Sequence, residues 1–427
     1  MFIHVVEAGQ TLTSLAQSFS IPPQLLAEWN SIAPPYTLAV GQALIVFEPT
    51  STYTVQPGNT AEAIADEVGI TLRELYVLNP SLEGGAAPLF AGQTLVLDFG
   101  EEKTNELLIN AYAYTFIDEK VMRQTLPYLS TFAPFTYGFT PDGELVMPDD
   151  ERLISAARQY GVSPLMHLST LTENGNFSSE LGSALLRSPS SRAALISNIL
   201  FTILEKGYAG LDIDFEFIPG DDAVRYADFI FEARQTLSRY SLPVFAALAP
   251  KTSANQPGTL YEGHNYALIG EAADKVFLMT YEWGYTYGPP MAVAPIESVR
   301  RVLDYAVSEI PADKIIMGIP NYGYDWTLPY KSGTTMAESI SNPEAVRRAV
   351  INGAEIMFNE QSMSPYFYYF DGEFQHEVWF EDPRSIMAKL ALVDEYGFYG
   401  VGYWNADRPF PANWLILSQK YNTRPSL

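Results

Sequence analysis

The 427-residue chain contains no cysteine. That excludes a disulfide framework, thiolate catalysis and cysteine-ligated zinc. Histidine is nearly as scarce. His4, His167, His264 and His376 lie far apart, so neither a histidine triad nor a His-rich metal site is expected, and each reads as a lone polar or packing residue. Positive charge is also thin: 25 basic residues face 50 acidic ones, for a net charge of −25. Such a surface repels nucleic acid, anionic membranes and other polyanions, and leaves an uncharged polymer as the natural partner. No apolar run is long enough for membrane insertion. Met1-Phe2-Ile3-His4-Val5-Val6 has no basic segment and no long apolar core, so no signal peptide is expected. By that reading the protein stays in the cell that made it, or travels by a route the sequence does not show.

What is present points to a large core. Hydrophobic residues make up 47% of the chain and aromatics 13%, with 27 Tyr and 24 Phe. Aromatic rings fill cores, and they also stack on sugars. The length suits two to four domains at roughly 100–200 residues each.

The first hundred residues repeat themselves. His4-Val5-Val6-Glu7-Ala8-Gly9-Gln10-Thr11-Leu12 aligns with Tyr53-Thr54-Val55-Gln56-Pro57-Gly58-Asn59-Thr60-Ala61, and Val40-Gly41-Gln42-Ala43-Leu44 aligns with Ala91-Gly92-Gln93-Thr94-Leu95. Each unit reads as strand, helix, helix, strand, with Thr11 or Thr60 capping the first helix and Asn30 or Asn79 ending the second. The units span 1–48 and 52–98. They hold nine acidic residues against Arg73 alone, which again favours a neutral ligand.

Beyond the polar break at Gly100-Glu101-Glu102-Lys103-Thr104, strand-like and helix-like segments alternate. Eight apolar runs begin at Leu107, Thr131, Pro164, Gly210, Pro243, Lys275, Ile315 and Tyr399, with amphipathic stretches between most of them. That rhythm over residues 105–427 indicates α/β architecture, a (β/α)8 TIM barrel, with a small α+β insertion at about 327–380. No Gly-rich phosphate loop follows any strand, which disfavours a doubly wound sheet.

The fourth run, Gly210-Leu211-Asp212-Ile213-Asp214-Phe215-Glu216-Phe217, carries the chemistry. Read as a strand, it puts Asp212, Asp214 and Glu216 on one face and Leu211, Ile213, Phe215 and Phe217 on the other. Same-face neighbours sit about 6.5–7 Å apart, so three ionised carboxylates repel and at least one pKa rises. A carboxyl kept protonated near neutral pH is what a general acid needs. A Mg²⁺ or Ca²⁺ site, or a water-filled acidic cluster, fits the same stretch. Barrel enzymes place their chemistry at the C-terminal ends of the strands, and Glu216 ends this one.

Two resemblances sharpen these readings. The N-terminal units resemble LysM modules, small βααβ domains that bind N-acetylglucosamine polymers. The resemblance implies grooves at Gly9, Gln10, Thr11 and Leu12 with Asn30, Ser31 and Ile32, and at Gly58, Asn59, Thr60 and Ala61 with Asn79, Pro80, Ser81 and Leu82. The acidic strand resembles the DGxDxDxE signature of family-18 glycoside hydrolases, with Gly210, Asp212, Asp214 and Glu216 matching and Ala209 in place of the first Asp. Met279-Thr280-Tyr281-Glu282 resembles that family's strand-six motif, with Glu282 for Asp. Gly318-Ile319-Pro320-Asn321-Tyr322-Gly323-Tyr324-Asp325-Trp326 resembles its strand-seven motif. Trp404 ends strand eight where the family keeps a Trp, while Ser169-Thr170-Leu171-Thr172 retains only the Ser of the strand-three motif.

The resemblance implies a retaining, substrate-assisted glycosidase without a cofactor. Glu216 is its acid, Asp214, Asp212 and Tyr281 assist, and Trp404, Glu282, Tyr322, Trp283 and Trp326 line the substrate path, with Tyr285 and Tyr287 as further candidates. LysM modules before such a barrel, together with Val378-Trp379-Phe380-Glu381-Asp382, resemble the spore-cortex-lytic subgroup of N-acetylglucosaminidases. Peptidoglycan is then the expected partner and the spore cortex or coat, or otherwise the cell wall, the expected location. Chitin or protein-linked N-glycans as substrates, or a wall-binding protein of weak activity, stay open, as do exo or endo cleavage and oligomeric state.

Overall fold

A computed structural model of the chain describes residues 1–103, 105–425 and 427. The first unit runs strand Phe2–Val5, helices Leu12–Phe19 and Pro23–Trp29, strand Ala43–Val46; the second runs Ser51–Thr54, Ala61–Val68, Leu72–Leu78 and Thr94–Asp98. In each, the two strands pair antiparallel. The shared sequence pattern produces shared local bonds. Gly9 and Gly58 turn through φ +85° and +87°, which favours glycine. The Thr11 and Thr60 hydroxyls cap the first helices by accepting the N–H groups of Ser14 and Ala63 at 3.1 and 3.2 Å.

Asn30 and Asn79 act as clamps. The Asn30 amide donates to the carbonyls of Leu26 and Ile45, both at 2.9 Å, and its oxygen accepts Ile45 N–H at 2.7 Å. Asn79 makes the same three bonds to Leu75, Val96 and Val96 at 2.9, 2.8 and 2.7 Å. Each pins the end of a helix to the closing strand.

Eight parallel strands follow: Asn105–Tyr114, Thr131–Phe135, a third in two pieces (Ser163–Pro164 and Met166–Ser169), Leu211–Asp214, Val244–Leu248, Lys275–Leu278, Ile315–Pro320 and Gly400–Trp404. Each pairs with its sequence neighbours and the eighth with the first; the two pieces of the third pair with the second and the fourth respectively. This is the expected TIM barrel. Strand four is buried as its alternation requires: Leu211, Ile213 and Phe215 are fully buried, and Phe215 stacks on Tyr226 and Phe229 of helix Ala223–Leu237 with centroids 5.5 Å apart. The alternation fails one residue past Glu216. The strand ends at Asp214, Phe217 turns to φ +56°, and its ring is 47% exposed at the barrel mouth instead of on the apolar face.

The insertion after strand seven is a five-stranded antiparallel sheet (Gly323–Leu328, Glu338–Ile340, Met357–Asn359, Ser364–Asp371 and Phe374–Trp379) with helix Asn342–Ile351 packed on it. Three of its strands, and the helices Ser179–Arg187 and Pro411–Lys420, carry patterns too short or irregular to stand out in the sequence.

Both small units are docked on the barrel. In the second unit Arg73 donates to the carbonyls of Pro127 and Leu129 at 2.8 and 2.6 Å, and the Tyr128 and Tyr160 hydroxyls donate to the carbonyls of Val77 and Gly84 at 2.8 and 2.5 Å. Pro80 and Leu82, expected to face sugar, are buried, and Ser81 N–H donates to Glu28 of the first unit at 2.6 Å. The first unit rests on the insertion: Ile356 N–H donates to Val40 O at 2.9 Å, and a Cβ on Gly41 would lie 1.8 Å from Ile356 O.

Candidate active site

At the C-terminal ends of the strands lies a cleft of about 650 Å³. Its lining includes Asp214, Glu216, Tyr281, Glu282, Trp283 and Trp404, from strands four, six and eight and the loops that follow them. These candidates come together as the sequence pattern required. Asp212 lies one layer deeper, 1% exposed, beneath Asp214.

Glu216 sits on a short turn held from two sides. Phe215 N–H donates to the Tyr226 hydroxyl at 3.2 Å, and His264 Nε2 lies 3.0 Å from Phe215 O, as its donor. His264 Nδ1 accepts Ala249 N–H at 2.8 Å, so the ring joins the loop after strand five to the turn that carries the acid.

No lysine or arginine is among the cleft-lining residues. The electrostatics follow from that. Burial pushes the Glu216 carboxyl above its ordinary pKa, and the negative charges of Asp214 and Glu282 push it further. Burial raises Asp214 likewise. Asp212 is pushed up to about 6, chiefly by burial, with His167 working against the rise and Asp214 adding to it. Both oxygens of Asp212 and Oδ1 of Asp214 are buried without a well-formed hydrogen bond, although the Tyr112 hydroxyl lies near enough to Asp212 to restrain the rise of its pKa. Carboxylates this crowded hold fewer charges than their number, and the remaining protons are shared.

Tyr281 is 7% exposed with its ring in the cleft wall. Trp404 packs edge-on against Phe135 at 4.9 Å and within 5.8 Å of Tyr112 and Tyr114. Glu282, at φ +68°, accepts the hydroxyls of Tyr322 and Tyr324. Two candidates prove to be something else. Trp326 is fully buried and donates its indole N–H to Gly288 O at 2.8 Å, so it anchors the loop after strand six instead of lining the cleft. Tyr322 is 4% exposed and acts behind Glu282. Tyr285 and Tyr287 stay exposed on the loop after strand six.

Several cleft residues were not expected there from the sequence: Tyr112, Tyr114, Phe135, Phe177, Phe217 and His167. His167 in particular is no lone packing residue. It pairs in register with Asp212, and its Nε2 lies 3.5 Å from Asp214 Oδ2. Alternation along Met166–Ser169 puts His167 and Ser169 on one face, and that was the available signal.

In the first small unit Gly9, Gln10 and Thr11 lie at the surface with Ile32 half-buried, while Leu12 is core at 5% exposure. Gln10 and Asn59 lock their turns by accepting the N–H groups of Glu7 and Gln56 at 2.9 and 2.7 Å. Gly58 and Thr60 are exposed. Among the described residues no group of three or more His, Asp or Glu is placed to hold a metal ion, and no helix is long and apolar enough to cross a membrane.

Comparison with known proteins agrees with this geometry. Residues 133–408 match Glycosyl hydrolases family 18, and residues 4–47 and 53–98 each match the LysM domain. A cortical fragment-lytic enzyme of Bacillus anthracis is 37% identical over 425 residues, covering 98% of both chains. A cortical fragment-lytic enzyme of Bacillus subtilis (strain 168) is 42% identical over 305 residues, 71% of this chain and 70% of the relative. The crystal structure of the Bacillus megaterium QM B1551 spore cortex-lytic enzyme SleL superposes with a TM-score of 0.84 at 36% identity, covering 100% of this chain and 99% of that one.

Proposed function

The chain belongs to the glycosyl hydrolases of family 18, with two LysM domains, and from that premise we propose that it cleaves β-1,4 bonds after N-acetylglucosamine in spore cortex peptidoglycan. One observation carries the chemistry: a half-buried carboxyl, Glu216, set in an aromatic-walled cleft above two further acids and facing no cation, where burial and neighbouring negative charge raise its pKa. Relatives of similar length that are named for cortex lysis support the substrate.

The reading assigns a retaining, substrate-assisted course, one of the exceptions to the two-carboxylate scheme. Glu216 gives its proton to the glycosidic oxygen as the bond to the anomeric carbon breaks. The acetamido oxygen of the same sugar attacks that carbon, forming an oxazolinium ring. Asp214 accepts a hydrogen bond from the acetamido N–H and stabilises the positive charge, with Asp212 sharing its proton. Tyr281 donates its hydroxyl to the acetamido oxygen. Glu216, now ionised, takes a proton from the water that opens the ring. Trp404 offers its face to the reacting sugar. Trp283 and Glu282 extend the contacts at the mouth.

The LysM domains bind N-acetylglucosamine-containing polymers. Here Gly9, Gln10, Thr11 and Ile32 in the first, and Gly58, Asn59 and Thr60 in the second, are the surface residues assigned to that contact. Spore association follows from the substrate. Mass spectrometry of cortex fragments digested by wild type and by Glu216→Gln tests the reading: wild type should yield new N-acetylglucosamine reducing ends, the variant almost none. Full product formation by Glu216→Gln, or none by wild type, refutes it.

A further inference from the structure

His167 has no task in the mechanism above, yet it occupies the centre of the acid cluster. The ring is 1% exposed. Its Nδ1 lies 2.7 Å from the Thr136 hydroxyl, which is itself 3.0 Å from Ser169 Oγ and 3.0 Å from Tyr137 O. Its Nε2 lies between two carboxylates, 3.5 Å from Asp214 Oδ2 and 3.9 Å from Asp212 Oδ2. The groups around the ring are Asp212 and Asp214 of strand four, Tyr112 edge-on from strand one at 5.4 Å, Phe135 at 4.8 Å with Thr136 from strand two, and Ser169 of its own strand. None of these is a cation. A buried carboxylate oxygen with no donor costs about 1–3 kcal/mol or more, and of the two aspartates Asp214 is the nearer to Nε2.

We propose that His167 is a positioning residue: anchored at Nδ1 by the Thr136 hydroxyl, it donates Nε2–H to Asp214 and keeps that carboxylate turned toward Asp212 until the substrate's acetamido group claims it. The inference rests on the role assigned to Asp214 above. Proton counting supports the tautomer. A neutral imidazole has one N–H. Nε2 faces the carboxylates of Asp214 and Asp212, which only accept when ionised, whereas the Thr136 hydroxyl at Nδ1 can donate as well as accept, so the ring proton belongs on Nε2. Burial holds the imidazole neutral, with its pKa lowered to about 4 although Asp212 favours the charged form. Neutrality matters: an arginine at this place would keep both aspartates ionised and remove the proton they share, whereas a neutral donor orients Asp214 without doing so.

The full-length chain carries the test, with His167→Phe and His167→Gln compared on soluble cortex fragments. His167→Phe should lower kcat about tenfold, equivalent to one lost hydrogen bond, with KM within about twofold. It should also move the acid limb of the kcat profile to higher pH, because losing a donor raises the pKa of the aspartate pair. The Gln amide reaches toward the same carboxylates and should restore most of both. A folded His167→Phe variant with unchanged kcat and acid limb overturns the proposal. Should that variant not fold, the ¹H–¹⁵N ring correlations of wild type decide. A neutral Nε2–H tautomer whose shifts move in Asp214→Asn supports the assignment; an Nδ1–H tautomer, or no response, overturns it. The ring spectrum stands apart from the hydrolase reading, which falls on Glu216→Gln activity alone.

Discussion

Two buried acid clusters, one in the cleft and one in the insertion, are built on opposite principles. In the cleft, Asp212, Asp214 and Glu216 meet no cation, and burial drives their pKa values up. In the insertion, Asp325 is as buried, at 3% exposure, but accepts from Arg348 Nη1 at 2.5 Å, Tyr369 Oη at 2.6 Å and His376 Nδ1 at 2.8 Å. Arg348 reaches Glu338 and Glu344 as well, at 2.9 and 3.0 Å. Burial alone does not make a carboxyl reactive. A partnered acid becomes a rivet, and an unpartnered one a reservoir for a proton.

Four substitutions sharpen or break this contrast. The largest effect belongs to Glu216→Gln, which should cut turnover by a factor on the order of 10²–10⁴ while substrate binding and melting temperature survive; reducing-end release against binding to insoluble cortex measures both. Next comes Asp325→Asn. Removing the most buried of the three carboxylates around Arg348 leaves Glu338 and Glu344 in place but takes the charged acceptor from Arg348, Tyr369 and His376 together, so unfolding free energy should fall by about 1–3 kcal/mol in denaturant titrations, with the remaining folded enzyme still active.

Asp212→Asn should have the opposite sign. The native pKa of Asp212, about 6, lies above its unfolded value, so between those values the native state binds more protons and stability declines as pH rises. Replacing the carboxyl removes that decline. The variant should match wild type near pH 4 and exceed it by on the order of 1–3 kcal/mol at pH 8, while losing activity. Equal thermal shifts at both pH values would contradict the account. The smallest effect is expected from Tyr369→Phe, which deletes one of several donors to Asp325: about 1 kcal/mol of stability and no change in kcat.

The barrel and the acid cluster were legible because both are periodic. Eight apolar runs alternating with amphipathic stretches mark the strands, and a two-residue period puts Asp212 and Asp214 on one face. Periodicity could not foretell where the strand would stop, so the placement of Phe217 was missed. It also could not reveal contacts between residues far apart in sequence. His167 meets Asp214 only because strand three pairs with strand four. Trp326 was expected to line the substrate path, yet it is fully buried and Gly288 O claims its indole. The groove expected at Pro80 and Leu82 is closed: Leu82 packs into its own unit's core with Leu75, Tyr76 and Leu95, and Ser81 bonds Glu28 of the first unit.

That docking has a mechanical corollary. Grip and blade are joined without a leash: the Arg73, Tyr128 and Tyr160 bonds hold one gripping module and the Gly41–Ile356 contact holds the other, each against the body that cuts. A flexible tether raises local concentration over a sphere of reach, whereas a fixed span acts like a ruler. A sugar strand shorter than the ruler engages either the grip or the blade, and only a longer one feels both.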